Sequence, residues 1–114
     1  VSEINAITLL VTDMARSVAF YEDLGLTVAH GGPAAEFTSL RIGTNYVNLS
    51  GGEGPPAGLW GRVIFHVEDP DVVHARAVDA GHRAEFEPRD APWDERYFHL
   101  RDPDGHELSF ARPL

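Results

Sequence analysis

The feature that most constrains this chain is that one structural pattern is written in it twice. A shift of 56 residues carries Val11 onto Val67, Asp13 onto Asp69 and Gly25 onto Gly81, and puts Leu9 over Phe65. These positions mark a strand end, a helix start and a helix stop, which a duplicated unit has physical reasons to keep. Asp caps the first turn of a helix, and Gly takes the left-handed conformation that ends one. A repeat of this kind predicts two similar modules rather than one irregular fold.

Within each copy the apolar period changes in the same order. Ile7, Leu9 and Val11 alternate with Ala6, Thr8 and Leu10, predicting a strand buried on both faces. Val18, Phe20, Tyr21 and Leu24 then follow helical spacing up to Gly25. Val63, Phe65 and Val67 repeat the strand, and Val72, Val73, Ala77 and Ala80 repeat the helix up to Gly81. Three strand-like runs follow each helix: 26–30, 37–42 and 46–50 in the first copy, and 82–86, 96–101 and 106–111 in the second. Asp102-Pro103-Asp104-Gly105 joins the last two, with Pro fixing one φ and Gly supplying a positive one.

The expected fold is therefore α+β: two βαβββ modules forming a curved, incompletely closed eight-stranded mixed sheet around a cavity. The chain reads as one domain of 114 residues, with modules at 1–50 and 59–114 joined by the Gly- and Pro-rich linker 51–58.

Composition narrows the function. Hydrophobic residues make up 43% and charged residues 24%, a globular balance long enough to bury a core. The formal charge of −9 argues against a nucleic-acid partner, since that affinity comes from Lys and Arg displacing counterions. It would favour a cationic ligand through its long-range field. No apolar run approaches the ~20 residues of a membrane span, and no leader is evident, so the expectation is a cytoplasmic protein without a membrane partner. Cys is absent, which removes disulfides and thiolate metal sites.

The two copies resemble the vicinal-oxygen-chelate superfamily of glyoxalases, extradiol dioxygenases and bleomycin-resistance proteins. The resemblance is carried by Leu9-Leu10-Val11-Thr12-Asp13, Ser17-Val18-Ala19-Phe20-Tyr21 and Leu24-Gly25-Leu26 in the first half. In the second half it is carried by Phe65-His66-Val67-Glu68-Asp69, Ala80-Gly81 and the stretch from Arg101 to Leu108. The run from Pro92-Trp93 to Asp102-Pro103 is most similar to bleomycin- and mitomycin-resistance binding proteins. The resemblance also implies a homodimer, in which modules are sometimes exchanged.

Enzymes of that superfamily hold a divalent metal with one His, Glu or Gln from each of four strands. The matching positions here are Ala6, Asn48, Arg62 and Ser109. Ala has no donor, and Arg is a permanent cation that repels a metal ion. The set has no carboxylate to balance the charge, so the expectation is no metal and no cofactor. Strand alternation puts His66, His99 and Glu107 on faces that a cavity would share, where they read either as a non-standard metal triad or as separate polar groups.

A metal-free cavity would still be a concave surface with convergent polar groups, which describes a ligand site. Arg62, Asn48 and Ser109 offer hydrogen bonds there, and Trp93, Tyr97, Trp60, Phe37 and Tyr46 offer walls for a flat ligand. Arg62 reads equally as the partner of a structural ion pair with Glu107. Phe20, Tyr21, Phe65 and Phe98 read as core, and His30, His74, His82 and His106 as solvated residues near turns or on helix surfaces. The sequence thus points to metal-independent sequestration of a small hydrophobic or aromatic molecule, such as an antibiotic. The competing reading is a divergent enzyme of the same superfamily, using non-standard ligands or no metal.

Overall fold

A computed structural model describes residues 3–114. The duplicated order is observed: β1 (Ala6–Val11), α1 (Met14–Asp23), β2 (Thr27–His30), β3 (Phe37–Ile42) and β4 (Asn45–Gly51) form the first module. The second contains β5 (Arg62–His66), α2 (Pro70–Asp79), β6 (Arg89–Ala91), β7 (Glu95–Arg101) and β8 (Glu107–Pro113). The strands pair within their own module as two four-stranded mixed sheets, ordered β1-β4-β3-β2 and β5-β8-β7-β6. The chain divides into two compact units, one through Ala57 and the other from Gly58.

The repeated residues do the local work that the duplication implies. Asp13 and Asp69 both sit in extended backbone, and their carboxylates accept from the amides of Arg16 and Asp71. Gly25 and Gly81 follow the helices at φ 100° and 90°, conformations that a β-carbon would strain. The amides of Leu26 and His82 then reach back to the carbonyls of Tyr21 and Ala77, closing the last turn in the Schellman manner.

In the first module β1 runs parallel to β4, with Leu9 beside Leu49 and Thr8 beside Asn48. Leu9, Val11, Val47, Leu49 and Leu40 are buried on the side that α1 covers with Val18 and Tyr21. The strand was expected to be buried on both faces, but Leu10 is 43% exposed and Thr8 is exposed. The helix can cover one face of the sheet, and period-two alternation turns Thr8 and Leu10 to the other.

In the second module, β5 runs parallel to β8 and the remaining pairs are antiparallel. Phe65, Phe110 and Phe98 form a row across three strands, with ring centroids 5.3 and 5.1 Å apart. All three are buried, as expected for Phe65 and Phe98. The opposite side chains of the same strands make the open face of this sheet.

One expected strand is displaced. Residues 82–86 make only an isolated bridge, Ala84 to Leu100, together with the Glu85 amide bonded to the His99 carbonyl. The regular pairing resumes at Arg89–Ala91, with Arg89 opposite Tyr97. Pro88 lies in between; it lacks an N–H and restricts Glu87, so the edge pairing is interrupted there. The first module has a milder register shift at the corresponding edge, between Val28 and His30.

Candidate functional site

The open face of the second sheet is built in transverse rows fixed by strand register. Arg62, Glu107 and Arg101 form one row, and Ile64, Ser109 and His99 the next. His66, Ala111, Tyr97 and Arg89 form the third. The alternation that turns the Phe65–Phe110–Phe98 row inward dictates that these residues share the other side.

The first row is a chain of opposite charges. Arg62 Nε donates to Glu107 Oε2 at 2.6 Å, and Arg101 lies 3.5 Å from the other oxygen of that carboxylate. Arg101 Nε also meets Glu85 at 2.8 Å. Glu107 is buried, a position a carboxylate tolerates only when its charge is balanced. The ion-pair reading of Arg62 therefore describes what the side chain does.

His99 stands against this network, its Nδ1 3.7 Å from Glu85 and 3.9 Å from Glu107. These distances are too long for hydrogen bonds, although both carboxylates favour the imidazolium. Burial, followed by the positive charge of Arg62, outweighs them and holds the His99 pKa below its ordinary value. The ring is consequently neutral near pH 7.

An aromatic shelf adjoins the charged row. Phe86 packs against Tyr97 and His99 at 5.3 and 5.1 Å, and Trp93 against Tyr97 at 5.4 Å. Trp93 is 60% exposed and its indole N–H donates to Glu95. The guanidinium of Arg89 lies 3.7 Å from the Phe86 ring centroid.

The structure thus brings Arg62, Glu107, Ser109, His99, Tyr97 and Trp93 to one face of one module. His66 belongs to the same face but not to the charged cluster. It pairs with Ala111, four residues along β8 from Glu107, or about 13 Å at strand rise. Glu85 takes the place expected of His66: ligand atoms of Glu85, His99 and Glu107 lie within 4.8 Å of one another. No spacing in the sequence announces Glu85, because it arrives through the displaced edge segment.

Other predicted residues have different surroundings. The Trp60 indole donates to His106 Nδ1 at 2.8 Å. His106 is buried rather than solvated, because Trp60 covers it and the Asp102 carboxylate accepts its amide. His74 likewise sets its ring edge-on to Phe98 at 5.2 Å instead of standing in solvent. Asn48 and Phe37 belong to the sheet of the first module, where Asn48 accepts from the Ser39 hydroxyl and donates to Thr8. Phe37 is exposed in the row of Ser50 and Leu10, and Arg41 lies over Tyr46 on that sheet. A cavity of about 570 Å³ lies on the helix side of the second module, lined by Glu68, Asp69, Val72, Val73 and Arg112. None of the predicted site residues lines it.

The residues at the superfamily's metal positions do not fit a divalent ion. Arg62 is bonded to Glu107, the Asn48 amide is already bonded at both ends, and Ala6 and Ser109 bring no charge. In the neighbouring Glu85–His99–Glu107 cluster, guanidinium groups already occupy the carboxylates.

The model of the Glyoxalase/Bleomycin resistance protein/Dioxygenase superfamily matches residues 3–110. Putative glyoxylase CFP32 of Mycobacterium tuberculosis (strain CDC 1551 / Oshkosh) is 31% identical over 109 residues, 85% of this chain. The chain spans only 39% of that relative's length. The uncharacterized protein YraH of Bacillus subtilis (strain 168) is 29% identical over 123 residues, covering 95% of this chain and 96% of that protein. Among solved structures, TioX from Micromonospora sp. ML1 superposes with a TM-score of 0.82 at 26% identity, covering 99% of this chain and all of that one. Lactoylglutathione lyase from Agrobacterium tumefaciens reaches 0.79 at 19% identity, over 97% of this chain and 93% of its own, and shares the fold. With the duplicated modules, the strand-end motifs and the family match in agreement, the chain belongs to the Glyoxalase/Bleomycin resistance protein/Dioxygenase superfamily.

Proposed function

We propose that this protein binds a small aromatic molecule on the open face of its second module without a metal ion. The carrying observation is the Arg62–Glu107–Arg101–Glu85 chain, whose carboxylates are already neutralised by guanidinium groups. A divalent ion would have to displace those partners and then sit beside two fixed positive charges. The adjoining rings of Phe86 and Trp93, inclined at 73° and 44° to Tyr97, supply the apolar faces and edges that an aromatic ligand packs against. Sequestration of an antibiotic, as in the resistance proteins that the Pro92-Trp93 stretch resembles, is the biological form of this reading. Titration calorimetry against a panel of aromatic antibiotics tests it. Binding with the same affinity in the presence of a chelator is expected. Binding abolished by a chelator, or no binding across the panel, overturns it.

One observation favours a second reading, a divergent metal-dependent enzyme: the clustering of Glu85, His99 and Glu107 within 4.8 Å. Elemental analysis of protein purified without a His tag separates the two, since stoichiometric Mn, Fe, Ni or Zn supports the enzyme. Assembly as a homodimer belongs to the same proposal. Strands β1 and β5 are each paired on one side within their own sheets, leaving backbone groups for another strand. Light scattering at micromolar concentration should give twice the chain mass, and a monomer refutes this part.

A further inference from the structure

The charges on the open face of the second module are not evenly compensated. Arg62 is balanced by Glu107, and Arg101 by Glu85 and Glu107. The neighbouring His99 is kept neutral by burial and by the positive charge beside it. Glu95, one row beyond Tyr97 on the same face of β7, accepts from the Trp93 indole. Among the described residues, Arg89 has no carboxylate within ion-pair distance. Its guanidinium instead lies over aromatic rings, with Cζ 3.7 Å from the centroid of Phe86 and 5.8 Å from that of Tyr97.

Register explains the placement. Arg89 is the first residue of β6, directly opposite Tyr97, where the edge resumes after the interruption at Pro88. A guanidinium held over a ring keeps its N–H edge free for a planar anion, and the ring beneath holds that edge in position. The acidity of the whole chain would favour a cationic ligand, yet at hydrogen-bonding distance a single oriented guanidinium outweighs a diffuse, salt-screened field.

We infer that the molecule bound on this face is an aromatic anion, whose carboxylate, sulfonate or phenolate pairs with Arg89 while its ring lies on Tyr97 and Trp93. This rests on the reading of the open face as a metal-independent aromatic site, and it adds the charge of the ligand and the residue that selects it.

Three fluorescent probes of different charge test it on the intact protein: anionic anilinonaphthalene sulfonate, neutral N-phenylnaphthylamine and cationic thioflavin T. The wild type should bind the sulfonate most tightly. Arg89→Gln should weaken the sulfonate by about tenfold and leave the neutral probe within about twofold, the expected effect of one charge-assisted contact. The neutral probe also controls for any disturbance of Phe86 by the substitution. Raising ionic strength should weaken the sulfonate alone. Tyr97→Ala should weaken all three probes, since it removes the shelf itself. If Tyr97→Ala weakens binding but Arg89→Gln affects the sulfonate and the neutral probe equally, the charge inference fails and the site stands. A wild-type preference for thioflavin T has the same meaning. Absence of binding by every probe, or binding indifferent to Tyr97→Ala, overturns the site and this inference together.

Discussion

Arg62 and Glu107 stand opposite each other on parallel strands β5 and β8, joined at 2.6 Å, with the arginine side chain 42% exposed and the glutamate side chain only 7%. The asymmetry sets the role of each. Glu107 needs a cation in order to be buried, whereas Arg62 can be solvated without it. The pair closes the charged row from the β5 side, and Arg101 closes it from β7.

Removing the arginine should therefore cost more than an exposed ion pair and less than a fully buried one. Arg62→Ala is expected to lower stability by about 1–2 kcal/mol, since Arg101 remains as a partial partner. Urea denaturation measures the loss. The double variant Arg62→Met/Glu107→Leu should recover most of it, because no buried charge is left unpaired. A double variant as unstable as Arg62→Ala would show that the burial of Glu107 is not the cause.

The neutral His99 predicts a pH dependence with a definite sign. Burial lowers its folded-state pKa below the ordinary 6.5, so in the intervening window the unfolded chain binds more protons. Stability therefore rises with pH through that window and becomes independent of His99 above it. Wild type should lose stability relative to His99→Gln as the pH falls from 7 toward 5, with the two curves parallel above neutrality. Urea midpoints at several pH values decide this, and curves parallel throughout count against a depressed pKa. Asp71, lowered by its hydrogen bond to Arg96, acts in a separate window: its contribution is present at neutral pH and lost only below the ordinary 3.8.

The duplicated caps should be equivalent in energy as well as geometry. Asp13→Ala and Asp69→Ala each remove one side-chain acceptor from a first-turn amide, and each should cost about 1 kcal/mol. Asn at either position should restore most of it. Thermal denaturation with losses differing several-fold would show that one of the two carries a further role.

The two faces of the second sheet should respond oppositely to truncation. Phe98→Ala opens a cavity in the Phe65–Phe110–Phe98 row and should cost about 3–5 kcal/mol. Ile64→Ala acts on a residue 60% exposed and should stay within about 0.5 kcal/mol. Comparable losses at both would mean that the open face is covered in solution.

The sequence by itself determined the repeat, the helix caps, the left-handed stops at Gly25 and Gly81 and which residues of a strand share a face, but not that the Thr8 and Leu10 face of β1 is open. These follow from backbone chemistry within a few residues and from a side-chain period of two, so they are visible without knowing which strands pair. It also offered an Arg62–Glu107 ion pair as one of two readings of Arg62, and grouped His99 and Glu107 with His66. Tertiary structure alone decided that Glu85 joins them instead of His66, that Arg89 lies on Phe86 and that His106 is buried beneath Trp60. Each of those contacts depends on strand register, on a break in a sheet edge or on residues distant in sequence. A shift of one residue in such pairing turns every side chain to the other face, and no local pattern records which register the folded chain takes.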